Sequence, residues 1–167
     1  MIQEILDTSK LNGYKNLEYK CINLENFIEK ICDPYKIIAK FKHIDMSIDY
    51  SYSFNVDTDE KLLEKALSNI ISNAVNYTDN GSRIKIYFNE NSLIIENECS
   101  PISDEDLNHI FDAFYRADFD RNKNTGGNGL GLYIVKQILT VLNMPYSFES
   151  MDNGMRFAID FKYNIHI

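Results

Sequence analysis

The stretch NTGGNGLGLYIVKQI, residues 124–138, holds four of the chain's seven glycines just before an apolar segment with helical spacing. A glycine within a helix costs about 1 kcal/mol relative to alanine, so glycines gathered at this place need a physical reason. The stretch lacks the lysine that follows the last glycine of a Walker A loop and the third glycine of a Rossmann fingerprint. It therefore predicts a glycine-rich loop that leads into a helix N-terminus, which is a favourable place to bind an anion.

Length, composition and charge limit the class of protein. A chain of 167 residues with 44% hydrophobic residues is expected to form one globular domain with at most a short appendage. The net charge of −8 argues against non-specific binding to nucleic acid or to an anionic membrane surface. We therefore predict no nucleic-acid partner and no direct membrane contact. We also expect the chain to be monomeric. A polyanionic ligand would need a metal ion or a local cluster of cations.

The three cysteines, Cys21, Cys32 and Cys99, show no CxxC spacing and have no histidine near them in the sequence. This pattern is typical of reduced thiols in a cytosolic protein rather than of a disulfide framework or a zinc site. We expect the thiols to be mostly buried, and we predict no zinc site.

Hydrophobic periodicity predicts an α/β chain. Pro34 is expected to produce a kink or an irregular turn in the helix predicted over 25–41. The helices are predicted over 1–11, 25–41, 59–77, 103–112 and 129–143, and the strands over 16–23, 44–50, 53–56, 83–88, 92–97, 146–151 and 155–162. The order of these elements favours a two-layer sandwich, with a mixed, mostly antiparallel sheet of about five strands and about three helices on one face.

The segment LSNIISNAVNYT, residues 67–78, places Asn69, Asn73 and Asn76 on one helix face that meets the apolar side. Two interpretations remain open. The amides form a solvated stripe or cap loops within the core, or their oxygens coordinate a hard cation such as Mg²⁺ while their nitrogens donate to phosphate.

Two further segments allow both a structural and a functional interpretation. Asn97 ends a strand and either begins a plain strand–turn–helix connection or presents its amide to a nucleobase edge. Residues 111–124, FDAFYRADFDRNKN, are either a charged surface loop or a cationic loop anchored by its aromatic residues. The anchors are Phe111, Phe114 and Tyr115, and the cations are Arg116, Arg121 and Lys123.

Taken in order, these segments resemble the N, G1, F and G2 boxes of the ATP-binding domain of sensor histidine kinases. That domain shares its Bergerat-type fold with gyrase, a heat-shock chaperone and a mismatch-repair protein. The boxes correspond here to NIISNAVNYT, NECSPI, IFDAFYRAD and TGGNGLGLYIVKQI, and the resemblance covers about residues 12–163. It implies a domain that binds ATP and Mg²⁺ and holds the γ-phosphoryl for in-line attack by a histidine.

The resemblance also implies roles for the asparagine-bearing helix. Asn73 is expected to supply the oxygen that binds Mg²⁺, and Asn69 to contact phosphate or the water shell of the metal. Asn76 stands where a lysine is common, so one charge that would neutralise phosphate is missing. Tyr77 is expected to flank the nucleotide.

The glycine-rich segment and the residues before it are implied to form a lid over the nucleotide. The lid cations that could offset the missing lysine are Arg116, Arg121 and Lys123. Arg116 and Arg121, together with the neutral Asn69, are the expected catalytic residues. The backbone N–H groups offered to phosphate are implied to come from Gly127, Gly129, Leu130, Gly131 and Leu132. The side chains implied near the adenine are Leu132, Ile102 and Phe114.

Two departures from the family pattern carry predictions. Asn97, Cys99 and Pro101 stand where the family usually has aspartate and two glycines, so the hydrogen bond from the adenine amino group to Asn97 lacks charge assistance. We therefore expect weaker binding of adenine than in domains that have the aspartate. Asn69 stands where the hydrolysing relatives have a glutamate base, so we predict negligible ATP hydrolysis.

The resemblance finally suggests the domain organisation and the partners. Residues 1–12 look like the end of a dimerisation-domain helix, and residues 13–167 like the catalytic domain. His43, His109 and His166 do not lie in the H-[ED]-x-x-x-P setting of the phospho-acceptor. The acceptor is therefore expected on an absent dimerisation domain, with a response regulator downstream.

The expected location is the cytoplasmic part of a bacterial membrane sensor. Two alternatives remain open: a degenerate nucleotide-binding regulatory module, and an anti-sigma-type serine kinase on the same fold.

Overall fold

The computed structural model describes residues 16–116 and 128–166. The predicted helix over 1–11 and the domain boundary near residue 12 lie outside these ranges. In chain order the elements are β1 (Tyr19–Asn23), α1 (Leu24–Phe41), β2 (Asp45–Asp49), β3 (Asn55–Asp59), α2 (Glu60–Tyr77), β4 (Arg83–Asn89), β5 (Ser92–Glu98), α3 (Asp104–His109), α4 (Gly131–Val141), β6 (Tyr146–Met151) and β7 (Gly154–Asp160).

Five strands form the main sheet in the order β2–β4–β5–β7–β6. Only the β2–β4 pair is parallel, and the other neighbours are antiparallel. One face carries the alternate apolar residues of the central strands, including the buried Ile84, Ile86 and Ile95. Helix α2 packs between α1 and α4 and against β5. The predicted two-layer sandwich with a mixed sheet is therefore confirmed.

The opposite face of the sheet is polar. Arg156 Nη2 lies 2.7 Å from Glu96 Oε1, and Arg83 Nη2 lies 2.8 Å from Glu98 Oε1. Both pairs join neighbouring strands, and the Arg83 and Glu98 side chains are 58% and 38% exposed. No described helix covers this face of the sheet, so the core has one layer of helices only.

The ends of α2 explain why its asparagine-bearing half is held in place. Asp59 caps the N-terminus because its carboxylate accepts from Leu62 N at 3.1 Å. At the C-terminus, Lys42 Nζ donates to the carbonyls of Val75, Asn76 and Thr78 at 2.6, 3.0 and 3.1 Å. A cation at this end also suits the helix dipole.

Pro34 lies at an exposed position inside α1, and the helix continues through it to Phe41. Water can reach the carbonyl group that its missing N–H leaves without a helix bond. Two expectations differ from the structure. Strands β1 and β3 pair with each other in a separate two-stranded sheet rather than in the main sheet. Of the three free thiols only Cys32 is buried, whereas Cys21 is exposed and Cys99 is half-buried.

Among the described helices, none has the length and apolar composition needed to cross a bilayer.

Candidate functional site

A cavity of about 260 Å³ lies between the C-terminal half of α2, the end of β5, residues 110–116 and the start of α4. The residues on both sides of the undescribed segment 117–127 line it. Eleven residues proposed from the sequence are among those that surround it: Asn69, Asn73, Asn76, Tyr77, Asn97, Ile102, Arg116, Gly129, Leu130, Gly131 and Leu132. The four sequence motifs therefore converge on one cavity.

Four of the proposed residues are not placed there. Phe114 is 61% exposed and does not line the cavity, so the expectation that it lies near the adenine is wrong in this structure. Its backbone adopts a φ of 66°, and its N–H donates to the carbonyl of Gly129 at 2.9 Å. This turn directs the Phe114 side chain to solvent. Arg121, Lys123 and Gly127 lie outside the described residues.

The amides of Asn69 and Asn73 face the first turn of α4. A Cβ atom at Gly131 would lie 3.7 Å from Asn73 Nδ2, 3.8 Å from Asn73 Oδ1 and 3.9 Å from Asn69 Oδ1. These are ordinary contact distances, so no protein atom forces this position to be glycine. In the part of the chain that the structure describes, neither amide forms a hydrogen bond with another protein group. The glycine therefore leaves open a space that is bordered by two asparagine side chains.

Helix α4 begins differently from the other described helices. Side chains of Asn23, Asp59 and Ser103 cap α1, α2 and α3 by accepting from backbone N–H groups. Leu130 precedes α4 and provides no side-chain cap. The first N–H groups of a helix have no partner within the helix and carry a partial positive charge. At α4 these groups open onto the cavity beside Asn69, which is where an anion would be stabilised.

Gly129 is required by the backbone that surrounds it. Its φ is 67°, and a Cβ atom would lie 2.6 Å from Tyr115 O and 2.8 Å from the carbonyl carbon of Phe114. Gly129 allows the start of α4 to pack against the backbone of residues 114–115.

Asn97 lies at the other end of the cavity, on β5. It is buried with 8% exposure, and its Nδ2 has no hydrogen-bond partner among the residues that the structure describes. An amide nitrogen without a partner is costly in a buried position, so it is well suited to a polar ligand. The connection that follows is held to the sheet, because Cys99 N donates to Asn153 O at 3.3 Å and Ile102 N to Ser150 Oγ at 3.2 Å.

An apolar wall completes this end of the cavity. Phe148 of β6 and Phe157 of β7 line it, and their ring centroids are 5.8 Å apart. Phe111 supports both rings, with its centroid 6.0 Å from that of Phe148 and 6.4 Å from that of Phe157. The sequence motifs missed Phe148 and Phe157 because they lie in the last hairpin. The only sequence signal that could have indicated them was the alternation of apolar and polar residues in the last two predicted strands.

Arg116 is the only charged residue among the described residues that line the cavity. Tyr115 fixes the backbone beside it, since Tyr115 Oη donates to Asp106 Oδ1 of α3 at 2.7 Å. No described carboxylate, histidine or lysine lines the cavity. The chain's acidic excess is therefore kept away from this site, and the described lining contains no group that could act as a base at neutral pH.

The site thus combines a polar end with an apolar end. Asn69, Asn73, the start of α4 and Arg116 suit phosphate groups, and amide oxygens suit Mg²⁺ as ligands. Asn97 and the aromatic wall suit a flat heterocycle with polar edges. A molecule with both parts, such as a nucleoside triphosphate with its metal ion, fits these residues.

Comparisons with known proteins agree with this geometry. Residues 58–165 match the family model described as histidine kinase-, DNA gyrase B- and HSP90-like ATPase. Sensor histidine protein kinase HK06 of Streptococcus pneumoniae is 32% identical over 159 residues, which are 95% of this chain and 35% of that protein. The chain therefore spans about a third of the length of this relative.

Two solved structures show the same fold. Histidine kinase AdeS of Acinetobacter baumannii has a TM-score of 0.74 at 22% identity, covering 96% of this chain and 77% of that one. Full-length ShkA in complex with AMPPNP has a TM-score of 0.82 at 18% identity, covering 99% of this chain and 35% of that one. The described fold, the family match and the identity to HK06 agree, and the chain belongs to the histidine kinase-, DNA gyrase B- and HSP90-like ATPase family as a sensor histidine kinase domain.

Proposed function

We propose that the chain is the catalytic module of a two-component sensor histidine kinase, which binds Mg-ATP and presents the γ-phosphoryl to a histidine of a separate dimerisation domain. The observation that carries the proposal is the uncapped start of α4, which opens onto the amides of Asn69 and Asn73. Three other described helices satisfy their first N–H groups with a side chain, so the exception falls where a ligand would complete the structure.

Each polar residue at the phosphate end of the cavity has a separate role. Asn73 would ligate Mg²⁺ through its amide oxygen, and Asn69 would contact phosphate or the metal's water shell. Bound Mg²⁺ would supply neutralisation of phosphate charge. Arg116 would stabilise negative charge on the transferring group, and Arg121 and Lys123 are proposed to do the same. The N–H groups of residues 127 and 129–132 would bind the phosphates.

The nucleobase end has a different chemistry. The Oδ1 of Asn97 would accept from the adenine amino group, and its partnerless Nδ2 offers a donor to a ring nitrogen. Ile102, Leu132 and Tyr77 would enclose the base. This end orients the nucleotide but contributes no charge, so the affinity depends chiefly on the phosphate end.

The phospho-acceptor is proposed to lie on another domain. The three histidines, His43, His109 and His166, are exposed, and none lines the cavity. We further propose that the parent protein is a membrane sensor with this domain in the cytoplasm, and that its phosphoryl group passes to a response regulator.

Phosphotransfer is the direct test of this function. The chain would be fused to a histidine-bearing dimerisation domain and incubated with γ-labelled ATP. We expect acid-labile label on the added domain, none on the isolated chain, and no phosphate release above background. Label on a serine of a partner, or rapid hydrolysis by the isolated chain, would contradict the proposal.

One observation favours a second candidate, a nucleotide-binding module that regulates without catalysis. Cys99 and Pro101 stand where the related domains have glycines, and the backbone at Cys99 is tied to Asn153. A module of this kind would bind Mg-ATP but would label no histidine in the fused protein. The same phosphotransfer experiment therefore distinguishes the two functions.

A further inference from the structure

A second group of side chains with metal-binding chemistry lies on the two-stranded sheet. Cys21 of β1 is directly opposite Asp57 of β3. Residues 164–166 run alongside β3, since Asp57 N donates to Asn164 O at 2.7 Å and His166 N donates to Asn55 O at 3.0 Å. One ligand atom from each of Cys21, Asp57 and His166 lies within 4.8 Å of the other two.

The alternation of strand residues places this cluster on the solvent side. Val56 and Ile165, which are paired in a bridge, point toward the core, where Val56 is fully buried. Asp57 and His166, which follow Val56 and Ile165 in the sequence, point outward, and their side chains are 47% and 49% exposed. An ion from solution can therefore reach all three ligands without opening the fold.

The ligand set identifies the class of ion. A thiolate, an imidazole and a carboxylate together suit Zn²⁺ and similar transition metals, whereas Mg²⁺ prefers oxygen ligands alone. Although the cysteine spacing in the sequence predicts no zinc site, we propose that Cys21, Asp57 and His166 form a surface site for Zn²⁺ or a related divalent transition metal, with a water molecule as the fourth ligand. The cluster is separate from the nucleotide cavity, so this inference does not depend on the proposed function.

The distances are compatible with small side-chain rotations. Bonds of about 2.0–2.3 Å in a tetrahedron place ligand atoms roughly 3.3–3.8 Å apart. His166 Nδ1 lies 2.8 Å from Asp57 Oδ2 and must move slightly away, and Cys21 Sγ lies within 4.8 Å of a ligand atom of each. All three side chains are at the surface, where such rotations meet little resistance. Binding displaces the thiol proton and any proton shared by His166 and Asp57, so affinity rises with pH.

The alternative is a plain ion pair between His166 and Asp57 beside an unrelated thiol. The chain contains a matched control for it. His109 Nδ1 lies 2.9 Å from Asp112 Oδ2 with side-chain exposures of 53% and 57%, and within the described residues no cysteine completes a group there. If a histidine–aspartate pair alone held the ion, His109→Ala would weaken binding as much as His166→Ala.

The test is a titration of the complete 167-residue chain with Co²⁺ in the absence of nucleotide. We expect one equivalent to bind, with a sulfur-to-metal charge-transfer band that Zn²⁺ abolishes by displacement. Cys21→Ser should remove the band, His166→Ala should weaken binding at least about tenfold, and His109→Ala should change neither. The melting temperature should rise with Zn²⁺ in the wild type and in His109→Ala only.

The proposal is overturned if the band persists in Cys21→Ser, if His166→Ala binds as the wild type does, or if the wild type binds no Co²⁺. Circular dichroism without metal must show that each variant is folded. If Cys21→Ser does not fold, Asp57→Asn and His166→Gln provide the same comparison, because both remove a ligand from exposed positions.

Discussion

The nucleotide cavity and the Cys21–Asp57–His166 cluster are two polar sites that the chain assembles in opposite ways. The cavity takes most of its polar groups from short segments, such as the helix face that carries Asn69 and Asn73. The cluster takes one side chain from each of three extended segments at distant places in the sequence. Because its polar residues recur at helical spacing, the first kind of site can be predicted from a sequence. The second kind of site forms only when the strands have paired.

The two sites also differ in how strongly the core supports them. Asn73 projects from a helix that is fixed at both ends, by Asp59 and by Lys42. The cluster lies on a two-stranded sheet at the surface, joined to the end of the chain by a single bridge. Changes in the cavity should therefore alter ligand binding in a preformed site, and changes in the cluster should alter local stability as well.

Thiol labelling should give the largest contrast between the regions. Burial raises the pKa of the Cys32 thiol to about 12, so its thiolate fraction near neutral pH is far lower than that of an ordinary thiol. Cys32 should react with a thiol reagent only after unfolding, while the exposed Cys21 reacts at once. Zn²⁺ should protect Cys21, and an ATP analogue with Mg²⁺ should protect Cys99, which lines the cavity. Mass spectrometry of the labelled peptides measures all three, and protection of Cys21 by the nucleotide would show that the two sites are not separate.

Asn73→Ala should cause the next largest effect. It removes the proposed ligand of Mg²⁺ and should weaken Mg-ATP binding by about 100-fold or more. Asn80→Ala is the matched control, since Asn80 is exposed and does not line the cavity. Calorimetric titration gives the affinity, and unchanged Co²⁺ binding by the same variant would show that the cluster is intact. Equal nucleotide affinity in Asn73→Ala and Asn80→Ala would remove Asn73 from the site.

Gly129→Ala and Gly131→Ala should separate folding from ligand binding within the glycine-rich segment. Alanine at Gly129 meets the backbone of Tyr115 at a positive φ, and should lower the free energy of unfolding by about 2–3 kcal/mol. Alanine at Gly131 has ordinary contacts and should leave stability unchanged or raise it by up to about 1 kcal/mol.

The second variant should nevertheless bind nucleotide more weakly, because the added methyl occupies the space in front of Asn69 and Asn73. Urea unfolding and nucleotide titration test the pair together. If Gly131→Ala binds as well as the wild type, the phosphates do not approach the start of α4.

Asn97→Asp should cause the smallest change. A carboxylate would accept from the adenine amino group with charge assistance, and this gain outweighs the loss of the neutral hydrogen bond from Nδ2 to a ring nitrogen. We expect ATP affinity to rise by roughly fivefold, corresponding to about 1 kcal/mol. The folded variant without ligand should be slightly less stable, because a buried carboxylate replaces a neutral amide. Wild-type protein should still prefer ATP to GTP, and equal affinities for the two would contradict the base-reading role of Asn97.

Much of this molecule could be predicted from local patterns. Helix α2 was expected over 59–77 and spans Glu60–Tyr77, because its apolar spacing and its capping residue Asp59 are both local signals. The hairpin of β6 and β7 was expected for the same reason, since the turn DNG at 152–154 separates two alternating segments. Within the site, the contiguous motifs located the polar residues of the cavity.

Non-local pairing and backbone geometry could not be obtained in this way. Nothing near Cys21 in the sequence points to His166, and only the pairing of β1 with β3 and of β3 with the last residues brings them together. The need for glycine at position 129 depends on a close approach to the backbone of residues 114–115. The exposure of the Phe114 side chain depends on the positive φ of that residue. Each of these features is decided by backbone packing between segments.

The central claim is that the start of α4 and the asparagines of α2 form an Mg²⁺-dependent nucleotide site. The most direct test is calorimetric titration of the wild-type chain with a non-hydrolysable ATP analogue, with Mg²⁺ and with a chelator. The account predicts saturable binding of one equivalent with Mg²⁺ and at least about tenfold weaker binding with the chelator. No binding under either condition, or binding of the same strength in both, would contradict it.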